Sequence, residues 1–115
     1  MKIIVTSDLT IFKELRTLGV KRGFVVEKHL ALNIKGNKNI NKDVLEYIKT
    51  VNNIIFQSKN AVKYSEKLHQ EIQKNKKATM YCLGQYTKTE LKKYFDNKIN
   101  HPFSKYSSEN LLKLI

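Results

Sequence analysis

Short unbroken apolar runs alternate along this chain with longer stretches whose apolar residues recur at helical spacing. That alternation limits the fold more than any other feature. Ile3-Ile4-Val5, Ile54-Ile55-Phe56 and Met80-Tyr81-Cys82-Leu83 are continuous runs of the kind found in strands buried on both faces. Lys2 to Thr6 reads as the first strand. Asp8 is placed to cap a following helix that carries Ile11, Phe12, Leu15 and Leu18 on one face and ends at Gly19. Phe24 to Ile34 reads as a second strand, with Leu30, Leu32 and Ile34 alternating. Asp43 and Glu46 suit a capping box opening a helix with Leu45, Ile48 and Val51 inward.

The third strand is expected at Ile54 to Phe56, followed by a helix with Ala61, Ser65, Leu68 and Ile72 on its inner face. Met80 to Leu83 reads as the fourth strand. Thr87 and Glu90 form a second capping-box pattern, opening a helix that carries Leu91, Tyr94 and Phe95. Asn100 to Phe103 reads as a fifth strand. A closing helix from Ser107 or Ser108 presents Leu111, Leu112 and Ile115. Five strands alternating with five helices imply parallel pairing through crossovers, and so an α/β fold with helices on both faces of the sheet. At 115 residues the chain has the length of one ordinary domain, expected to span residues 1–115.

Ligands of such sheets bind beyond the carboxyl ends of the strands, near a switch point in strand order. Three polar junctions gather on that edge: Thr6-Ser7-Asp8, Gln57-Ser58-Lys59-Asn60 and Gly84-Gln85-Tyr86-Thr87. Each precedes a helix N-terminus, where unbonded N–H groups favour anions. The net charge of +12 points the same way, towards polyanions. Of the 22 basic residues only Arg16 and Arg22 are arginine, which is a poor signature for reading nucleic acid. A solvated lysine surface is the plainer account of that charge.

Other chemistries lack their residues. No GxGxxG or GxxxxGK[ST] motif occurs, and the acid cluster of a response regulator is absent. His29, His69 and His101 show no metal-type spacing, and His69 sits at a position that reads as exposed. No Ser–His–Asp set can be assembled. The lone Cys82 permits no internal disulfide, and within its apolar run it reads as a small buried hydrophobe. No apolar run approaches the ~20 residues that span a bilayer, and no signal-peptide core is present. The expected compartment is the cytoplasm, with no membrane partner.

From Phe56-Gln57-Ser58-Lys59-Asn60-Ala61-Val62 onward the chain resembles the uroporphyrinogen-III synthase family. That family shows an apolar strand, Phe-Thr-Ser, two variable residues and Ala-Val opening a helix. The family's next strand ends in glycine with a threonine three positions on, as in Leu83-Gly84-Gln85-Tyr86-Thr87. Its following proline-containing strand and leucine-bearing helix are matched by His101-Pro102-Phe103 and Ser107-Ser108-Glu109-Asn110-Leu111-Leu112. Lys2-Ile-Ile-Val-Thr-Ser7 is similar to its first strand. The likeness spans the chain but only the first half of the family's length. Ser7 stands where the family has arginine, His29 where it has proline, and Gln57 where it has threonine.

The resemblance implies cyclisation of hydroxymethylbilane, a linear tetrapyrrole with eight carboxylates, with inversion of the last ring and without metal or cofactor. Catalysis there is orientation and electrostatic stabilisation of a flexible polyanion. The implied ligand contacts are Thr6, Ser7, Ser58, Lys59, Asn60, Gly84 and Thr87. The plainer alternative makes Ser58 or Asn60 only a helix cap and Thr87 only the start of a capping box. Family members build a strand–helix–strand unit, cross to a second domain and return to finish the first. For this chain the expectation is instead one flavodoxin-like, mostly parallel five-stranded sheet in a three-layer helix–sheet–helix arrangement. A homodimer that exchanges elements is the alternative. Two other functions stay open: a non-catalytic module of this fold binding an anion or a protein, and, with least support, a basic nucleic-acid-binding module.

Overall fold

The computed structural model describes residues 1–6, 9–29, 31, 34–37 and 39–115. They form two units, Met1–Lys35 and Gly36–Ile115. The α/β class and the parallel pairing expected from the sequence are both found, but the strands form a two-stranded and a three-stranded sheet instead of one of five.

In the first unit β1 (Lys2–Val5) pairs in parallel with β2 (Val25–Lys28) across helix α1 (Leu9–Lys21). The ladder continues past β2, where the N–H groups of His29 and Ala31 donate to the carbonyls of Val5 and Thr6. Asp8, Leu30 and Leu32 lie outside the described residues, and the expected Asp8 cap with them; the second strand itself runs only from Val25 to Lys28, short of the expected Phe24 to Ile34, and Ile34 is exposed. Gly19 does not end α1. The helix runs on to Lys21, and Gly23, at φ 74°, takes the left-handed cap position. Phe24 N–H donates to Gly19 O at 2.9 Å and Gly23 N–H to Val20 O at 3.1 Å, the paired bonds of a Schellman cap. Gly19 serves contact instead: a Cβ there would lie 2.5 Å from Val26 Cγ2. Of the expected inner stripe, Ile11 and Phe12 are half-buried while Leu15 and Leu18 are exposed. Two strands and one helix bury too little surface to cover the whole stripe.

In the second unit the elements are α2 (Lys42–Ile48), β3 (Asn53–Phe56), α3 (Lys59–Tyr64), α4 (Glu66–Lys74), β4 (Thr79–Cys82), α5 (Gln85–Leu91), β5 (Ile99–Asn100) and α6 (Ser108–Leu112). The sheet order is β3-β4-β5, all parallel, with Ile55 opposite Tyr81 and Met80 opposite Ile99. This consecutive order contains no reversal, so the expected switch point does not occur in it. The even-numbered residues of β3 and β4, and Ile99 of β5 opposite Met80, point to one face. There Phe56, Met80 and Cys82 meet Val62 of α3, Ile72 of α4 and Leu91 of α5, with Ile48 and Phe95 completing the core. On the other face Tyr81 is buried but Ile55 is 45% exposed.

Several local expectations need correction. The helix after β3 breaks at Ser65 into α3 and α4, and its inner residue is Val62 while Ala61 is exposed. Asn41, not Asp43, caps α2, its side chain accepting from Asp43 N–H at 3.0 Å. The fifth strand is Ile99–Asn100 rather than Asn100 to Phe103. Of the closing helix's apolar residues, Leu111 is buried while Leu112 and Ile115 are exposed. No described helix is long and apolar enough to cross a membrane.

The close approach at Gly19 yields a test. Gly19→Ala forces its methyl into Val26 and is expected to destabilise the first unit by about 1–3 kcal/mol, the usual cost of overpacking. Amide hydrogen exchange reads this directly: protection of Ile3 and Val26 falls, while that of Met80 and Tyr81 in the second unit stays unchanged.

Candidate functional site

Parallel pairing of β3, β4 and β5 sends every strand of the second unit out at the same edge, with a helix starting directly after β3 and β4 and, past a longer loop, after β5. After β3, Gln57 is exposed and Ser58 caps α3, its hydroxyl accepting from Ala61 N–H at 3.1 Å. Lys59 and Asn60 are the first two helical residues and are half-buried. After β4, Gly84 is the cap residue of α5 and has no side chain to offer its amides. Its φ of −162° is ordinary extended backbone, so glycine is not required there by conformation. After β5, Ser107 caps α6, accepting from Asn110 N–H at 3.4 Å.

Thr87 does not open a capping box. It is the third residue of α5 and is 7% exposed, on the same inner face as Leu91 four positions on. The structure thus brings Ser58, Lys59 and Asn60 beside Gly84 and Thr87, on the ends of two adjacent strands whose helices α3 and α5 pack together. Thr6 is exposed and belongs to the first unit, where its carbonyl accepts from Ala31 N–H. Ser7 lies outside the described residues.

The helix starts differ in charge. α2 carries Asp43 in its first turn, α4 carries Glu66 and α6 carries Glu109. A hydrogen bond from the Ser107 hydroxyl, followed by a backbone N–H bond, holds the Glu109 carboxyl below the usual carboxylate range. The positive end of α6 is therefore already served by its own acid. The first turns of α3 and α5 hold no acid, and α3 opens on Lys59 instead. Neither of these two adjacent starts has an acid of its own first turn at its positive end, and that of α3 is capped by Ser58.

Groups elsewhere are spent on structure. Cys82 is fully buried, burial pushes its thiol above the ordinary value, and its Sγ lies 3.7 Å from Gly84 O. It is packing, as its apolar run suggests. His69 is not the surface residue its sequence position implied: it is 8% exposed, between the rings of Tyr94 and Phe95. Its Nε2 lies 3.0 Å from Val62 O, and since a carbonyl only accepts, that nitrogen carries the proton. The signal was present in the 62-65-69-72 spacing, with serine and histidine taking two of the four inner positions. Among the described residues no group of three or more His, Cys, Asp or Glu is placed to hold a metal. Tyr106 is a further neighbour that the sequence did not reveal. A methyl on Gly84 would meet its ring at 3.6 Å, which is ordinary contact.

The Ser58 cap can be tested apart from any ligand. Ser58→Ala is expected to cost about 1 kcal/mol, and Ser58→Gly only a few tenths. Urea denaturation of the three proteins checks this, and equal midpoints for Ala and wild type would show that the hydroxyl does not cap.

Comparison with known proteins assigns no family to this geometry: no family model, curated protein or solved structure matches the chain.

Proposed function

We propose that this chain is a uroporphyrinogen-III synthase-like protein whose second unit binds a linear tetrapyrrole polycarboxylate at the carboxyl edge of its sheet. One observation carries the reading: the two adjacent helix starts beyond β3 and β4 are free of acids. These are also the two segments where the resemblance is densest, Phe56 to Val62 and Leu83 to Thr87. The division of the chain after Lys35 accords with the order in which that family builds its domains, a strand–helix–strand unit first and a second domain next.

The chemistry required is modest in kind. Hydroxymethylbilane cyclises when water leaves and the ring closes. A protein directs the outcome by holding the chain of rings in one folded pose. A net charge of +12 draws in a ligand with eight carboxylates, and the amides and hydroxyls of the two junctions fix where those carboxylates rest. No metal or cofactor enters this scheme. Gln57, where the family carries threonine, favours a second reading in which the same edge holds the ligand without directing its closure.

Incubation with enzymatically generated hydroxymethylbilane, followed by separation of the isomers, tests the proposal. Type-III product above the buffer control is expected. If the ligand is bound and only type-I product forms, the non-catalytic reading stands. Type-I product at the spontaneous rate with no bound ligand, from protein shown to be folded by circular dichroism, contradicts both.

A further inference from the structure

The sheet of the second unit ends at β5, whose outer side pairs with no strand among the described residues. Met80 N–H donates to Lys98 O at 2.8 Å, which fixes how β5 faces β4. Successive residues of a strand turn their backbone groups to opposite sides, so Ile99 sends its N–H and C=O away from the sheet. Such groups are a template for another strand.

That edge opens onto a groove. A cavity of about 460 Å³ lies among Lys88, Lys92, Asn97 and Ile99, and one of about 120 Å³ among Lys88, Ile99, Phe103 and Leu114. The two share Lys88 and Ile99, so they adjoin at the free edge. Their chemistry differs. The smaller is apolar, with Phe103 93% exposed and Leu114 also exposed. The larger is basic. Lys88 of α5 and Lys92 at its end stand one turn apart, and neither forms an ion pair among the described residues, whereas Lys93 is held by Glu90 at 2.7 Å. Asp96, the acid that lines this cavity, is itself exposed and lies 3.9 Å from Lys76.

We propose that this groove takes an extended acidic segment of another protein, which adds to β5 as a further strand. Its carboxylates lie at alternate positions over Lys88 and Lys92, and an apolar side chain rests against Phe103 and Leu114. The spacing suits this arrangement. Four residues of helix rise about 6 Å, and alternate residues of a strand lie about 7 Å apart, so one face of the added strand matches both lysines. Main-chain bonds to Ile99 supply affinity, and the alternate side chains supply selectivity. Charge decides the occupant: a second copy of this chain, at +12, is repelled here, and an acidic segment is drawn in. The surface uses none of Ser58, Lys59, Asn60, Gly84 or Thr87, so it stands or falls apart from the tetrapyrrole reading.

The test uses the full chain at low salt and a fluorescein-labelled peptide of alternating glutamate and valine with phenylalanine at each end. Two further peptides carry N-methyl groups, one on every glutamate nitrogen and the other on every valine nitrogen. An added strand turns only every second N–H to its neighbour. Fluorescence anisotropy is therefore expected to show one methylated peptide weakened by about tenfold and the other binding like the parent. Lys88→Glu and Lys92→Glu are each expected to weaken the parent peptide by about fivefold. Lys42→Glu, at an exposed lysine of α2 outside both cavities, should bind it as wild type does. If Lys88→Glu loses its fold, Lys92→Glu, at an exposed position, carries the comparison.

Equal affinities of the two methylated peptides overturn strand addition. Equal losses in all three lysine variants overturn it too, in favour of general attraction to a basic surface. Tighter binding of an oligothymidylate of the same charge, weakened by the same two substitutions, assigns the groove to nucleic acid instead. Failure of the parent peptide to bind overturns the docking surface outright.

Discussion

The second unit depends on β4. Met80 and Cys82 are fully buried and Tyr81 nearly so, and this strand alone of the three has a hydrogen-bonded partner on each side. Because both pairings are parallel, the chain must cross back between strands, through α3 and α4 and then through α5, all packed over the face that carries Met80. Burial of Phe56, Met80 and Cys82 under Val62, Ile72 and Leu91 therefore does two things. It supplies the hydrophobic stabilisation, and it brings the helix starts to a single edge.

The two edges of that sheet use their polar residues differently. At the amino edge two asparagines tie the incoming segments together. Asn75 Nδ2 donates to Ile48 O at 2.9 Å and Val51 O at 2.8 Å, and Asn97 Nδ2 donates to Asn75 O and Ala78 O, both at 2.9 Å. Those carbonyls come from the turns before β3 and β4, which would otherwise bury unpaired acceptors. At the carboxyl edge Ser58 caps its own helix, whereas Gly84 leaves the amides of α5 without a side-chain partner. The amino edge is tied together by side-chain amides, whereas at the carboxyl edge α5 starts without a side-chain cap.

How much of this was legible follows from what each signal reports. The apolar runs located β1, β3 and β4 to within a residue or so, because continuous burial needs little context. Pairing is a long-range property that local periodicity does not encode, so the division into two sheets could not be read from it. The capping-box pattern at Thr87 failed because α5 begins at Gln85, with Thr87 and Leu91 setting its inner face. Polar residues at helical spacing hid the inner face of α4: His69 is buried because Val62 O and two aromatic rings take it up. Gly19 looked like a terminator and is a contact point with Val26. The junctions at Ser58 and Gly84 were legible as polar breaks, but the lack of an acid at their helix starts has meaning only once the helix boundaries are known.

The central claim is that the carboxyl edge of the three-stranded sheet is the ligand edge. Amide NMR spectra recorded during titration with uroporphyrin I test it most directly. The account predicts that shifts concentrate at residues 57–62 and 84–88 and leave residues 49–53 and 75–79 at the amino edge unmoved. Shifts centred on the amino edge, or spread evenly over the lysine-bearing surface, would contradict it.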